Sequence, residues 1–317
     1  MKIKNLLLLV LGLVATQTFA QFTLSGEFRP RTEFRNGYKT LTPDGSDPAL
    51  FTSQRTRLNT KYETEKYSFF VSIQDVRVWG DVKQLNTSDK NGLAIHEAWG
   101  LVNFDGFSLK AGRQEIVYDD QRMFGSVGWA QQGRSHDALV LKFGKNFKLD
   151  VGLAFNQDQE ALFDNTYTTT GNYKAMQYAW FNDKWGGVNA SFLFLNNGLQ
   201  YIAPINSDNN EIRYSQTLGS HLKFNITKGL SAAANLYYQT GNDVVDRDVN
   251  AFLVGLDLGY KNSETWNFGL GFEVQSGNDY DGDASENKAF TPFYGTNHKF
   301  NGFMDYFYVG NHMNSTG

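Results

Sequence analysis

Residues 26–35 read GEFRPRTEFR, and their charges fall on alternate positions: Glu27, Arg29, Arg31, Glu33 and Arg35. On an extended chain, side chains two apart share a face. This segment therefore carries one charged face and one nearly uncharged face of Phe28, Pro30, Thr32 and Phe34. Residues 51–63 repeat the design, with Arg55, Arg57, Asn59, Lys61 and Glu63 opposite Thr56, Leu58, Thr60 and Tyr62. A guanidinium is a rigid, permanently charged fork that matches the two oxygens of a carboxylate. Such a strip does binding chemistry: it draws anions and orients them. Glu27, Glu33 and Glu63 temper the charge, and a ladder of internal ion pairs is the alternative use of the same residues.

What this strip does depends on which side of its sheet holds water. Lys2 and Lys4, the apolar run 6–15 and small residues up to Ala20 have the layout of a secretory signal peptide over residues 1–20. That run is too short for a bilayer span, which takes roughly 20 apolar residues. No Cys occurs anywhere, which excludes disulfide-stapled ectodomains and thiolate metal sites. No later apolar run is long enough for a membrane helix, but a membrane β-barrel needs only one apolar face per strand. Aromatic residues make up 15%, with 31 Gly and 5 Pro, a mix that favours strands.

From residue 22 onward, segments of strand length alternate between long and short connections. Long polar stretches fall at 37–48, 80–92, 119–135, 157–172, 197–210 and 241–246, and tight turns at 64–66, 105–106, 144–146, 182–184, 227–229 and 262–264. That rhythm predicts an all-β fold, an antiparallel transmembrane β-barrel of outer-membrane type, with the long loops at one end. Alternation places Leu230, Ala232, Ala234, Leu236 and Tyr238 on one face, and Phe252, Val254, Leu256, Leu258 and Tyr260 likewise. Tyr62, Tyr67, Trp180, Trp185, Tyr260 and Trp266 lie near the tight turns, where an interfacial aromatic girdle belongs. About thirteen strands are counted; closed barrels of this type use even numbers, so about 16–18 are expected when complete, with residues 21–317 a C-terminally truncated barrel. Phe300, Phe303, Met304, Phe307 and Tyr308 have helical spacing and predict a short helix in an external loop.

On this fold the charged strips must face the lumen, because Arg or Lys facing lipid at mid-membrane costs roughly 2–4 kcal/mol each. The same cost argument turns Arg113 inward, with Gly112 beside it allowing close approach. The loop containing Asp119, Asp120 and Arg122 is long enough to fold into the lumen. Other chemistry is thinly supported. Ser135, His136 and Asp137 are adjacent, but a catalytic triad is defined by its meeting in space. The five His show no metal-site spacing. The acidic stretch NDYDGDASE departs from the EF-hand pattern, so no cofactor is expected beyond loosely held loop Ca²⁺. There is no Gly-rich phosphate loop and no basic stripe for nucleic acid.

The run GRQEIVYDDQRMFGSVGWAQQGRSHDAL within residues 109–143, with HKFNGFMDYF and the arginine-rich first strand, resembles the alginate-export family of outer-membrane porins. The resemblance implies a monomeric antiparallel barrel with a charged lumen that passes anionic polysaccharide. It also implies that Arg113, Arg122 and Arg134 project into or over the channel. The reading is a non-enzymatic outer-membrane channel of a Gram-negative bacterium. Its lumen side chains would be Arg29, Arg31, Arg35, Arg55, Arg57, Lys61, Arg113, Arg122 and Arg134, with Glu27 and Glu33. Its partners are an anionic polysaccharide or oligosaccharide and outer-membrane lipid. The competing readings are a general anion-preferring diffusion porin, a barrel hydrolase using His136, and a secreted carbohydrate-binding sandwich.

Overall fold

The computed structural model describes residues 21–163, 165–169, 171–202 and 211–306. The expected signal peptide lies outside them. Among the described residues thirteen strands form one sheet in which each pairs antiparallel with its sequence neighbour. They are β1 (Phe22–Arg35), β2 (Ala49–Glu63), β3 (Tyr67–Val78), β4 (Ala94–Asn103), β5 (Phe107–Gln114), β6 (His136–Phe143) and β7 (Lys148–Phe155). There follow β8 (Ala175–Trp185), β9 (Val188–Tyr201), β10 (Glu211–Asn225), β11 (Leu230–Asn242), β12 (Asp248–Lys261) and β13 (Asn267–Gln275). A two-residue β14 (Glu286–Asn287) adds in parallel to β12. Strict up-and-down order puts all short turns at one end and the long connections at the other.

The two faces differ as alternation requires. In register across β9 to β12, Phe194, Leu218, Tyr238 and Phe252 form one outward row, and each is more than two-fifths exposed. Val254, Leu256, Leu258 and Tyr260 continue outward beside Val274, Phe272, Leu270 and Phe268 of β13. On β1 the outward residues include Phe22, Leu24, Phe28 and Phe34, all more than half exposed. Water does not tolerate so much contiguous apolar surface, whereas hydrocarbon does. The inward face carries the polar row Ser191, His221, Asn235 and Glu273, with Gly255 between the last two.

Aromatic pairs mark the short-turn end. Tyr62 stacks near Tyr67, Phe104 near Phe107, Phe181 near Trp185 and Trp266 near Phe268. Trp180 does not join them. It faces inward, is 8% exposed, and donates its Nε1–H to Asp119 at 2.9 Å. Its parity, opposite to Phe181, decides this; closeness to a turn does not. Strand β8 also runs on to Trp185, so the turn is Gly186–Gly187 and not 182–184. β9 likewise extends to Tyr201. The expected helix near residue 300 is a single 3-10 turn, Asn297–Lys299, while Phe307 and Tyr308 lie outside the described residues. Of the apolar residues, Phe300 lies against the guanidinium of Arg122 at 3.4 Å, while Phe303 and Met304 stay more than half exposed.

The buried core is not between two sheets. It lies inside the curve of one sheet, where loop 115–135 and the segment after β13 pack together. Ile116, Met123, Phe124, Tyr173, Met176, Tyr178, Trp180, Leu195 and Phe290 make up most of it. Phe124 bridges to Tyr294 in parallel, and Gly125 N–H donates to the Tyr294 carbonyl at 2.8 Å.

Candidate functional site

The arginine ladder is in place on the inward face. Arg29 lies opposite Arg55, and Glu27 opposite Arg57, in the β1–β2 register. Two like charges in direct opposition repel, so something must hold them. Arg55 is 6% exposed and takes Glu27 Oε1 at 2.5 Å through Nη2 and 3.1 Å through Nε. The larger part of the answer is backbone. Arg29 donates to the carbonyls of Gly128 at 2.6 Å and Ala130 at 2.7 Å, and to Gln131 Oε1. Arg31 donates to the Trp129 carbonyl at 2.6 Å. Arg55 reaches Ala130 and Gln131 carbonyls, and Arg57 the Gln132 carbonyl at 3.3 Å. Four arginines of the wall thus grip five consecutive peptide units of loop 115–135.

The far side of this loop is fastened to the opposite strands. Asp119 accepts from Trp180 and from Ser191 Oγ at 2.5 Å; Asp120 accepts from Asn235 Nδ2 at 2.7 Å. Burial pushes the Asp119 carboxyl above the usual range, against the lowering effect of those hydrogen bonds. Tyr118 donates to Asp150, which Lys142 also contacts. Arg122 is buried against Glu273 of β13, and Arg134 donates to the Gly295 carbonyl at 2.9 Å. Asp119, Gln121 and Val127 take positive φ, so the loop follows a tightly bent path. The loop therefore crosses from the arginine wall to β8–β13.

A third set of contacts ties the outer loops together. Tyr38 donates to Asp305 Oδ2 at 2.7 Å, and His298 pairs with Asp305 Oδ1 at 2.8 Å. Burial, then the Asp305 hydrogen bond, pushes the Tyr38 phenol up to about 12. At the loop's foot, His96 Nε2 lies 2.7 Å from Glu115 Oε1, and Ser135 closes on His96 from the other end of the loop.

A family model described as alginate export matches residues 20–315. The chain belongs to the alginate-export family. Solved structures share its fold at low identity. OpdL of Pseudomonas aeruginosa is 14% identical over 89% of this chain and 71% of its own, with a TM-score of 0.53. OccK2 (OpdF) of the same organism is 14% identical over 82% and 65%, at 0.51. OpdK from that organism, solved with vanillate, is 12% identical over 82% and 67%, at 0.50. No protein among those with curated descriptions matches in sequence. By its family this alginate-export chain is an outer-membrane channel and not an enzyme.

Of the residues expected in the lumen of this alginate-export channel, Glu27, Arg29, Arg31, Glu33, Arg35, Arg55, Arg57 and Lys61 share the inward face. Lys61 pairs with Glu63 at the short-turn end, far along the strand from the loop contacts. Arg113 is a correction. Its neighbours Gly112 and Gln114 pair with Trp99 side and His136 side positions of the inward face, whereas Arg113 itself lies opposite Asp137 on the other face. The two form an exposed ion pair at 2.9 Å one residue from the long-loop end of β5, where the cost of an outward charge falls from its mid-membrane value to about 0–1 kcal/mol. Arg122 and Arg134 do stand over the interior, as parts of the loop clasp. Ser135, His136 and Asp137 point to His96, to Tyr173 and to Arg113 respectively, so they form no triad. Sequence reasoning missed His96, Glu97, Tyr294 and the peptide carbonyls 128–132; main-chain acceptors leave no mark in a sequence.

Proposed function

We propose that the protein lets an acidic polysaccharide, or its oligosaccharides, cross the outer membrane passively through the space beside loop 115–135. The observation that carries this is the inward clustering of Arg29, Arg31, Arg35, Arg55 and Arg57 on two paired strands in a chain of the alginate-export family. Arg31 and Arg35 keep about a third of their side-chain surface exposed, enough to meet a passing carboxylate. Glu33 lies between them and bonds to both, so each uronate would be held loosely and released.

A second reading, a general anion-preferring diffusion porin, is favoured by the loop itself, since its carbonyls occupy Arg29, Arg55 and Arg57 and leave less free charge. Single-channel current in planar bilayers separates the two. A polyuronate should block in the first case at concentrations where a neutral glucan of equal length does not. Equal effects of the two polymers would remove the acidic-polysaccharide reading.

A further inference from the structure

A β-bulge brings together three potential metal ligands that no spacing in the sequence announces. The β3–β4 register shifts between Ser72 and Ile73: Ser72 pairs with Glu97, but Ile73 pairs with Ile95. His96 is the extra residue. It therefore turns to the same side as Glu97, as bulges commonly re-aim a side chain. Loop 115–135 begins at Glu115, directly over them. The His96, Glu97 and Glu115 ligand atoms all lie within 4.8 Å of one another, and His96 is 3% exposed.

The hydrogen-bond geometry leaves one gap in this cluster that a cation would fill. Ser135 Oγ lies 2.5 Å from the His96 carbonyl, so its single hydrogen is committed there. Ser135 Oγ is also 3.2 Å from His96 Nδ1, and with its hydrogen spent it can only accept. Nδ1 therefore carries a hydrogen, and Nε2 presents a lone pair unless a proton sits on it. That lone pair faces a carboxylate oxygen of Glu115 at 2.7 Å. Two acceptors do not approach so closely with nothing between them. Either a proton or a metal ion occupies the gap.

We propose that a divalent transition-metal ion, of which Zn²⁺ is the type, binds here through His96 Nε2, Glu115 and Glu97. The chemistry of the surroundings selects the ion. Arg57 from β2 and Lys110 from β5 face the cluster; Arg57 is bonded to Gln74 and Lys110 lies 4.1 Å from the Trp99 ring centre. These two cations offset the two carboxylates. A hard ion such as Ca²⁺ relies on net negative charge and oxygen ligands, whereas an imidazole and two carboxylates suit Zn²⁺. Ser135 is the positioning residue that fixes the ring and its tautomer, the arrangement that metal-bound histidines use. The ion would pin the first residue of the inward loop to β4. This assignment does not depend on what the channel carries.

The test uses the full chain, untagged, folded in detergent, stripped with EDTA and titrated with ZnCl₂ by calorimetry, with Co²⁺ absorption as a second readout. The absence of Cys removes thiolates as competing ligands. The expected result is one Zn²⁺ per chain that excess Ca²⁺ does not displace. His96→Ala should abolish it, Glu115→Gln should weaken it at least about tenfold, and Ser135→Ala should weaken it by about tenfold. His298→Ala, at a residue that pairs with Asp305 and is not among the proposed ligands, should leave it unchanged. Heat-modifiable electrophoretic mobility verifies that each variant is folded, and Glu115→Gln retains the test should His96→Ala fail to fold. Absence of saturable Zn²⁺ binding, or binding indifferent to both His96→Ala and Glu115→Gln, overturns the proposal and leaves a proton in the gap.

Discussion

Arg29→Ala offers the sharpest view of how the inward loop is held. The substitution removes bonds of 2.6 and 2.7 Å to the Gly128 and Ala130 carbonyls and the contact with Gln131 Oε1. A hydrogen bond to a charged group contributes roughly 1.5–3 kcal/mol net. Arg29 is only partly buried, so water takes over some of what is lost. Two well-made bonds, discounted for that, place the change at about 2–4 kcal/mol of loop docking. At 1.4 kcal/mol per tenfold, the undocked population rises by roughly 30- to 1000-fold. Arg31, Arg55 and Arg57 still hold their carbonyls, and Asp119 and Asp120 still anchor the far side. The fold should survive while the loop's near half opens more often. The assay is limited proteolysis of folded protein, with cleavage mapped to residues 126–134, alongside single-channel recording. Faster cleavage there and more frequent high-conductance events are expected, with unchanged heat-modifiability. Cleavage and conductance equal to wild type would refute the clasp.

Four further outcomes follow from the same structure. Arg31→Glu with Arg57→Glu should lower anion selectivity without blocking membrane insertion, whereas Arg113→Leu should leave the reversal potential unchanged, because an exposed pair on the outer face contributes about 0–1 kcal/mol and no inward charge. Gly112 has φ +121°, and an added Cβ would lie 2.3 Å from the Ala98 carbonyl oxygen; Gly112→Ala should therefore destabilise the folded form by about 2–4 kcal/mol, read as a lower midpoint of heat-modifiability. Tyr38 has its phenol raised to about 12, so the stability it contributes is intact below about pH 10 and is lost as pH climbs through about 12. Tyrosinate absorbance should show Tyr38→Phe deleting a step near 12; loss of a step near 10 would contradict the Asp305 latch.

The architecture was legible because a membrane imposes two regularities on the chain: strand parity and alternating connection length. Leu230–Tyr238 and Phe252–Tyr260 face outward as their alternation states, and Arg29 with Arg55 face inward. Arg113 was misjudged because the cost argument assumes mid-membrane depth, whereas Arg113 lies one residue from the long-loop end of β5, beside Asp137. Trp180 was misjudged because nearness to a turn was given more weight than parity. The bulge at His96 could not be read, since one extra residue in a strand resembles ordinary sequence. Nor could the path of loop 115–135: its docking depends on peptide oxygens that every residue possesses.

A wall that seizes main-chain oxygens reads few side chains, Gln131 being the exception. Positions 128 and 132 can therefore drift through evolution with little penalty, provided the chain keeps its course, while the four guanidinium groups opposite cannot change so freely. Variability concentrated in the most central part of the molecule, beside an invariant rim, would be the ordinary expectation here. A homologue could retune what passes by exchanging those side chains and still inherit the same docking.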